Sequence, residues 1–87
     1  MTGPPDTPGL SEPVLELDCR DLLCPMPIVE LARHLDEVAV GEVIAVVAHD
    51  VAARVDVPAW CRMREQDYLG EDIAADGAPR YLVRRSG

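Results

Sequence analysis

The chain has 87 residues, enough for one small domain. Sixteen acidic side chains face eight basic ones, all arginine, for a net charge of −8, which argues against any general attraction to nucleic acid. The longest apolar run, Val43 to Ala48, is too short to cross a bilayer, and the N-terminus lacks the basic flank and apolar stretch of a secretory signal, so a cytoplasmic address without membrane association is expected.

Residues 1–13 carry four prolines, two glycines and almost nothing apolar, the composition of a flexible tail, so the folded domain is expected over 14–87. Val14-Leu15-Glu16-Leu17-Asp18 alternates as a short strand does, and Arg20 to Leu23 form a connecting loop. Pro25 and Pro27 fit a helix start, because first-turn N–H groups have no intrahelical partner, and Cys24 is then the N-cap. Ile28, Leu31, Ala32, Leu35 and Val38 recur at helical spacing, while Glu30, Arg33, Asp36 and Glu37 mark the wet face. Gly41 closes the helix. Glu42 to His49 is nearly solid apolar and β-branched, as a central strand is.

Asp50 resembles a helix cap, but Pro58 argues against one long helix. The pattern predicts a turn at 51–55, a new cap at Asp56 and a helix to about Glu65. Tyr68 to Ala74, Asp76-Gly77 and Arg80 to Arg84 read as a hairpin. The order is βαβαββ: a two-layer α/β sandwich with a four-stranded mixed sheet and two helices on one face. With only Trp60, Tyr68 and Tyr81 as aromatics, the core is aliphatic, built on Ile28, Leu31, Leu35, Ile44 and Val46 with Trp60.

Cys19, Cys24 and Cys61 make an odd count, expected as free thiols in a reducing compartment. No pair has the spacing of a zinc knuckle and His34 and His49 are scattered, so neither a structural metal nor a cofactor is expected. Glu30 offers His34 an ordinary helical pair. Cys24 is the chemical candidate. A thiol at a helix N-terminus feels the positive end of the macrodipole, Pro25 and Pro27 stiffen the turn, and the N–H groups of Met26 and Ile28 face a bound sulfur anion. Arg20, four residues upstream, is a candidate thiolate stabiliser. These features predict an exposed, acidic thiol. Cys61, beside Trp60, is expected to be inert core. Cys19 is either a resolving thiol for Cys24 or a core residue. Arg80, Arg84 and Arg85 form either a docking patch or a solvated strand end.

Cys24-Pro25-Met26-Pro27 comes directly after Leu22-Leu23 and is framed by Asp18-x-Arg20, Gly41-Glu42, Asp50, Asp56-x-Pro58-x-Trp60-Cys61 and Tyr81-Leu82-Val83-Arg84. With these landmarks in order, the chain from Val14 to Arg85 resembles the TusA/SirA family of small sulfur-carrier proteins. The resemblance implies the same βαβαββ sandwich and a motif cysteine that accepts sulfane sulfur as a persulfide and relays it to an acceptor thiol. It implies a donor protein, a cysteine desulfurase or a rhodanese, and an acceptor protein such as a DsrE-like one, serving tRNA thiolation, cofactor assembly or sulfur metabolism. The chain departs from the family at Asp21, where glycine is usual, and that carboxylate is expected to oppose thiolate formation. Two other functions fit the same residues: a regulatory or protein-interaction module without catalysis, and a thiol redox protein using Cys19 and Cys24, against which the C-x4-C spacing argues.

Overall fold

The computed structural model describes residues 12–87. In chain order it contains β1 (Pro13–Asp18), α1 (Met26–His34) running into a 3₁₀ turn at Leu35–Glu37, β2 (Val43–Val47), α2 (Ala53–Arg64), β3 (Asp67–Ile73) and β4 (Pro79–Arg84). This is the expected βαβαββ order. The four strands form one mixed sheet in the order β1-β2-β4-β3, with β1 parallel to β2 and the other two pairings antiparallel. Pro13 already pairs with Val43, so β1 starts one residue before the expected boundary, and residues 1–11 of the expected tail lie outside the described residues.

β2 is central and buried along its whole length, which explains its unbroken apolar sequence. Its Ile44 and Val46, with Leu17, Tyr81 and Val83, meet Leu31 and Leu35 of the first helical segment and Ala53, Val57, Trp60 and Cys61 of α2 in the main core. Both helices therefore cover one face of the sheet. Val43, Ala45 and Leu82 form a smaller cluster on the other face, where Arg80 pairs with Asp72 and Glu16 across the strands. Of the expected core, Leu31, Leu35, Ile44, Val46 and Trp60 are buried and Ile28 is only half-buried at the helix edge; Ala32, at the same helical spacing, is exposed. The apolar stripe of α1 is narrower than its spacing implies because this helix of nine residues contacts the core along one line only.

α2 corrects the expected break at Asp56. It is continuous from Ala53, with Pro58 inside it. Its start is built by Asp50, whose backbone oxygen accepts the Ala53 N–H at 3.0 Å and whose carboxylate accepts the Ala52 N–H at 3.0 Å. Pro58 forfeits one helical bond, to the Arg54 carbonyl. Burial of Ala53, Val57, Trp60 and Cys61 on one face, and a bidentate Arg54–Glu71 pair to β3, offset that loss. The β3–β4 hairpin turns as expected at Asp76-Gly77, where Gly77 takes φ +89° and its N–H reaches the Ala74 carbonyl at 2.9 Å.

The C-terminal arginines are engaged within the domain. Arg80 pairs with Asp72 and Glu16, and Arg85 pairs with Asp36 and donates to the Val38 carbonyl at 2.7 Å. Both bind the chain's own carboxylates, and Arg85 its backbone as well.

Candidate functional site at Cys24

The three cysteines are all free, and the fold separates them by exposure. Cys24 is exposed while Cys19 and Cys61 are buried. Burial pushes both buried thiols up to about 11, aided by nearby carboxylates. Cys61 is core, as expected. Cys19 comes just after β1 with its N–H bonded to the Val47 carbonyl at 2.8 Å and its side chain in the main core, a placement that suits the core reading over the resolving-thiol one.

Cys24 sits in the turn that leads into α1, one residue before the cap. Pro25 holds the N-cap position, and the Cys24–Pro25 peptide bond is cis. The Met26 N–H closes this turn on the Leu23 carbonyl at 2.8 Å, and the Ile28 N–H reaches the Pro25 carbonyl at 3.0 Å. Both donors expected to face a sulfur anion are thus satisfied by backbone, as short helix starts often are.

The groups that do meet Cys24 come from the other half of the chain. Its N–H donates to Asp50 Oδ2 at 2.8 Å, so one carboxylate spans the cysteine turn and the start of α2. These two backbone donors hold the Asp50 carboxyl below its ordinary range. The Cys24 thiol donates to Asp56 Oδ2 at 2.8 Å. That hydrogen bond first, then partial desolvation and the charges of Asp56 and Asp50, push the thiol above its ordinary value. The expected acidic thiol is not what its surroundings favour: the sulfur faces Asp56 and Asp50, and they push it up rather than down.

Arg20 does not reach Cys24. Its guanidinium is bidentate to Asp76 at 2.9 and 3.1 Å and holds Asp18 at 2.9 Å, pinning the loop after β1 to the hairpin turn. Its role is to fix that loop. The negative charge acting on Cys24 comes from Asp56 and Asp50, and Asp21 is an exposed loop residue. His34 pairs with Glu30, as the spacing predicts, and also with Glu37.

Beside the thiol, α1 and α2 enclose an open apolar groove of about 310 Å³ lined by Pro25, Ile28, Asp56, Ala59, Trp60 and Met63. Met63 and Leu23 stand exposed at its rim and in the cysteine turn. Pro25 and Pro27 have distinct parts: Pro25 lines the groove, and Pro27 is buried under the first turn of α1. Asp50 and Asp56 were legible as helix caps and as landmarks of the family resemblance, not as neighbours of Cys24. Their link to Cys24 spans 26 and 32 residues and has no local signal.

An α+β sandwich with one exposed cysteine at a Cys-Pro-x-Pro turn defines a small thiol protein. A family model described as "Sulfurtransferase TusA" matches residues 15–85, and the chain belongs to the TusA/SirA family. Similar proteins include one from Bacillus subtilis named "Putative sulfur carrier protein YrkF", 32% identical over 71 residues. That alignment covers 82% of this chain but only 38% of the Bacillus protein. Another, from Archaeoglobus fulgidus, is named "Putative sulfur carrier protein" and is 32% identical over 69 residues, covering 79% of this chain and 90% of the relative. The crystal structure of a SirA-like protein from Desulfitobacterium hafniense superposes with a TM-score of 0.70 at 15% identity, over 84% of this chain and 99% of that one, a likeness of fold.

Proposed function

We propose that this protein is a sulfurtransferase of the carrier type, which accepts sulfane sulfur as a persulfide on Cys24 and relays it to an acceptor thiol on another protein. The observation that carries the reading is the exposure of Cys24 alone among three free thiols, in a turn held by Asp50 beside an apolar groove. A carrier needs one accessible sulfur and no enclosed substrate pocket, and the groove is open. Three unpaired cysteines suit a reducing compartment, and the cytoplasm is the proposed site of action. A cysteine desulfurase or rhodanese is the proposed donor and a DsrE-like protein a proposed acceptor, on a route such as tRNA thiolation, cofactor assembly or sulfur metabolism. A Cys19–Cys24 redox pair has no geometric support, because Cys19 is enclosed in the core.

The test is intact-mass analysis after incubation with a persulfide donor. One sulfur atom is expected on the wild type, on Cys19→Ser and on Cys61→Ser, and none on Cys24→Ser. Sulfur found on Cys61, or no uptake from several donors, refutes the carrier reading.

A further inference from the structure

Resting on that reading, we infer that Asp56 is the catalytic base of sulfur transfer, taking the Cys24 proton as the sulfur bond forms. A thiol is a poor nucleophile until its proton leaves, and enzymes meet this either with a depressed pKa or with an adjacent base. Local sequence points to the first route, and the structure removes its parts: Arg20 is bound to Asp76 and Asp18, and the Met26 and Ile28 N–H groups are bound to carbonyls. What touches the sulfur is a carboxylate at 2.8 Å, within the reach a general base requires. The charged groups acting on Cys24 are Asp56 from α2 and Asp50 from the loop before it, both acidic, so free thiolate is disfavoured at rest. Asp56 lies at the groove wall with Pro25, Ile28, Ala59, Trp60 and Met63, apolar neighbours that leave its carboxylate few competing donors.

The step balances without an oxidant. Cys24 Sγ attacks the outer sulfur of a donor persulfide while its proton passes to Asp56. The donor's S–S bond breaks, its electron pair stays on the inner sulfur as a thiolate, and that thiolate takes the proton from Asp56. The products are a Cys24 persulfide and a donor thiol. Delivery reverses the roles: Asp56 accepts the acceptor thiol's proton and returns it to Cys24 as Cys24 leaves.

Asp56→Asn tests this, with glutathione persulfide as the probe and circular dichroism to check the fold. Ultraviolet absorbance should show the Cys24 thiol ionising at lower pH in the variant, since a carboxylate has been removed. Despite that gain in thiolate, sulfur loading at neutral pH should slow by about 10²-fold. The wild-type-to-variant rate ratio should shrink by about tenfold for each unit rise in pH, because only the variant depends on free thiolate. The final stoichiometry of one sulfur on Cys24 should be unchanged. Loading as fast as or faster than wild type at every pH overturns the assignment and leaves the carrier reading intact. Absence of loading in the wild type overturns both. If Asp56→Asn does not fold, Asp56→Ser is read by the same criteria.

Discussion

Truncating Leu31 to alanine removes three carbons from a fully buried side chain of the helix that begins at the cysteine turn. α1 has nine residues and no side-chain cap, too short to hold itself by propensity, so packing against the sheet must fix it. The lost transfer energy is about 0.8 kcal/mol per methylene, or about 2.4 kcal/mol for three. A cavity left in the core cluster that Leu31 shares with Ile44, Val46 and Trp60 raises the total to about 3–4 kcal/mol, within the range of such truncations. A domain of this size holds roughly 4–13 kcal/mol, so the variant should lose a large share of its stability, with its melting temperature down by roughly 12–32 °C. Trp60, the single tryptophan and itself buried in the same cluster, reports the transition in a urea titration. The groove should loosen as well, because Ile28 and Pro25 reach it from the same segment. A loss below about 1 kcal/mol with an unchanged urea dependence would mean that α1 is not held by this contact, and the account of how Cys24 is positioned would fail with it.

The loop after β1 and the hairpin turn offer two more tests. Arg20 holds the Asp76 carboxyl at about 2, below its ordinary 3.8, so the stability this pair adds is complete above the ordinary value and is lost as pH falls from there through about 2. Nuclear magnetic resonance titration should show that low midpoint, and Arg20→Gln should return it upward; an unmoved midpoint disproves the clamp. Gly77→Ala should cost roughly 1–2 kcal/mol, from forcing an L side chain into the left-handed region. Nothing lies within 4 Å of the added Cβ, so φ +89° is the whole cause, and thermal melts indistinguishable from wild type would contradict it.

The architecture and the position of the exposed thiol were legible in the amino-acid sequence alone. Strand alternation, the β-branched run of β2, the prolines of the cysteine turn and the Asp76-Gly77 turn are signals between near neighbours, and each acts over a few residues whatever the rest of the chain does. They were enough for βαβαββ and for placing Cys24 at a helix entrance. The charge state of that thiol belonged to the packed fold. Arg20 is four residues from Cys24 in sequence, yet a bidentate pair with Asp76, 56 residues away, holds it elsewhere. Asp56 reads locally as a cap before Pro58, but α2 begins earlier on Asp50, which leaves the Asp56 side chain to accept a hydrogen bond from the Cys24 thiol at α1's entrance. Cys19 was ambiguous for the same reason, since its burial depends on helices that arrive later in the chain. Hydrogen bonds and ion pairs fall off over a few ångströms, and only the packing of α1 against α2 decides which side chains come that close.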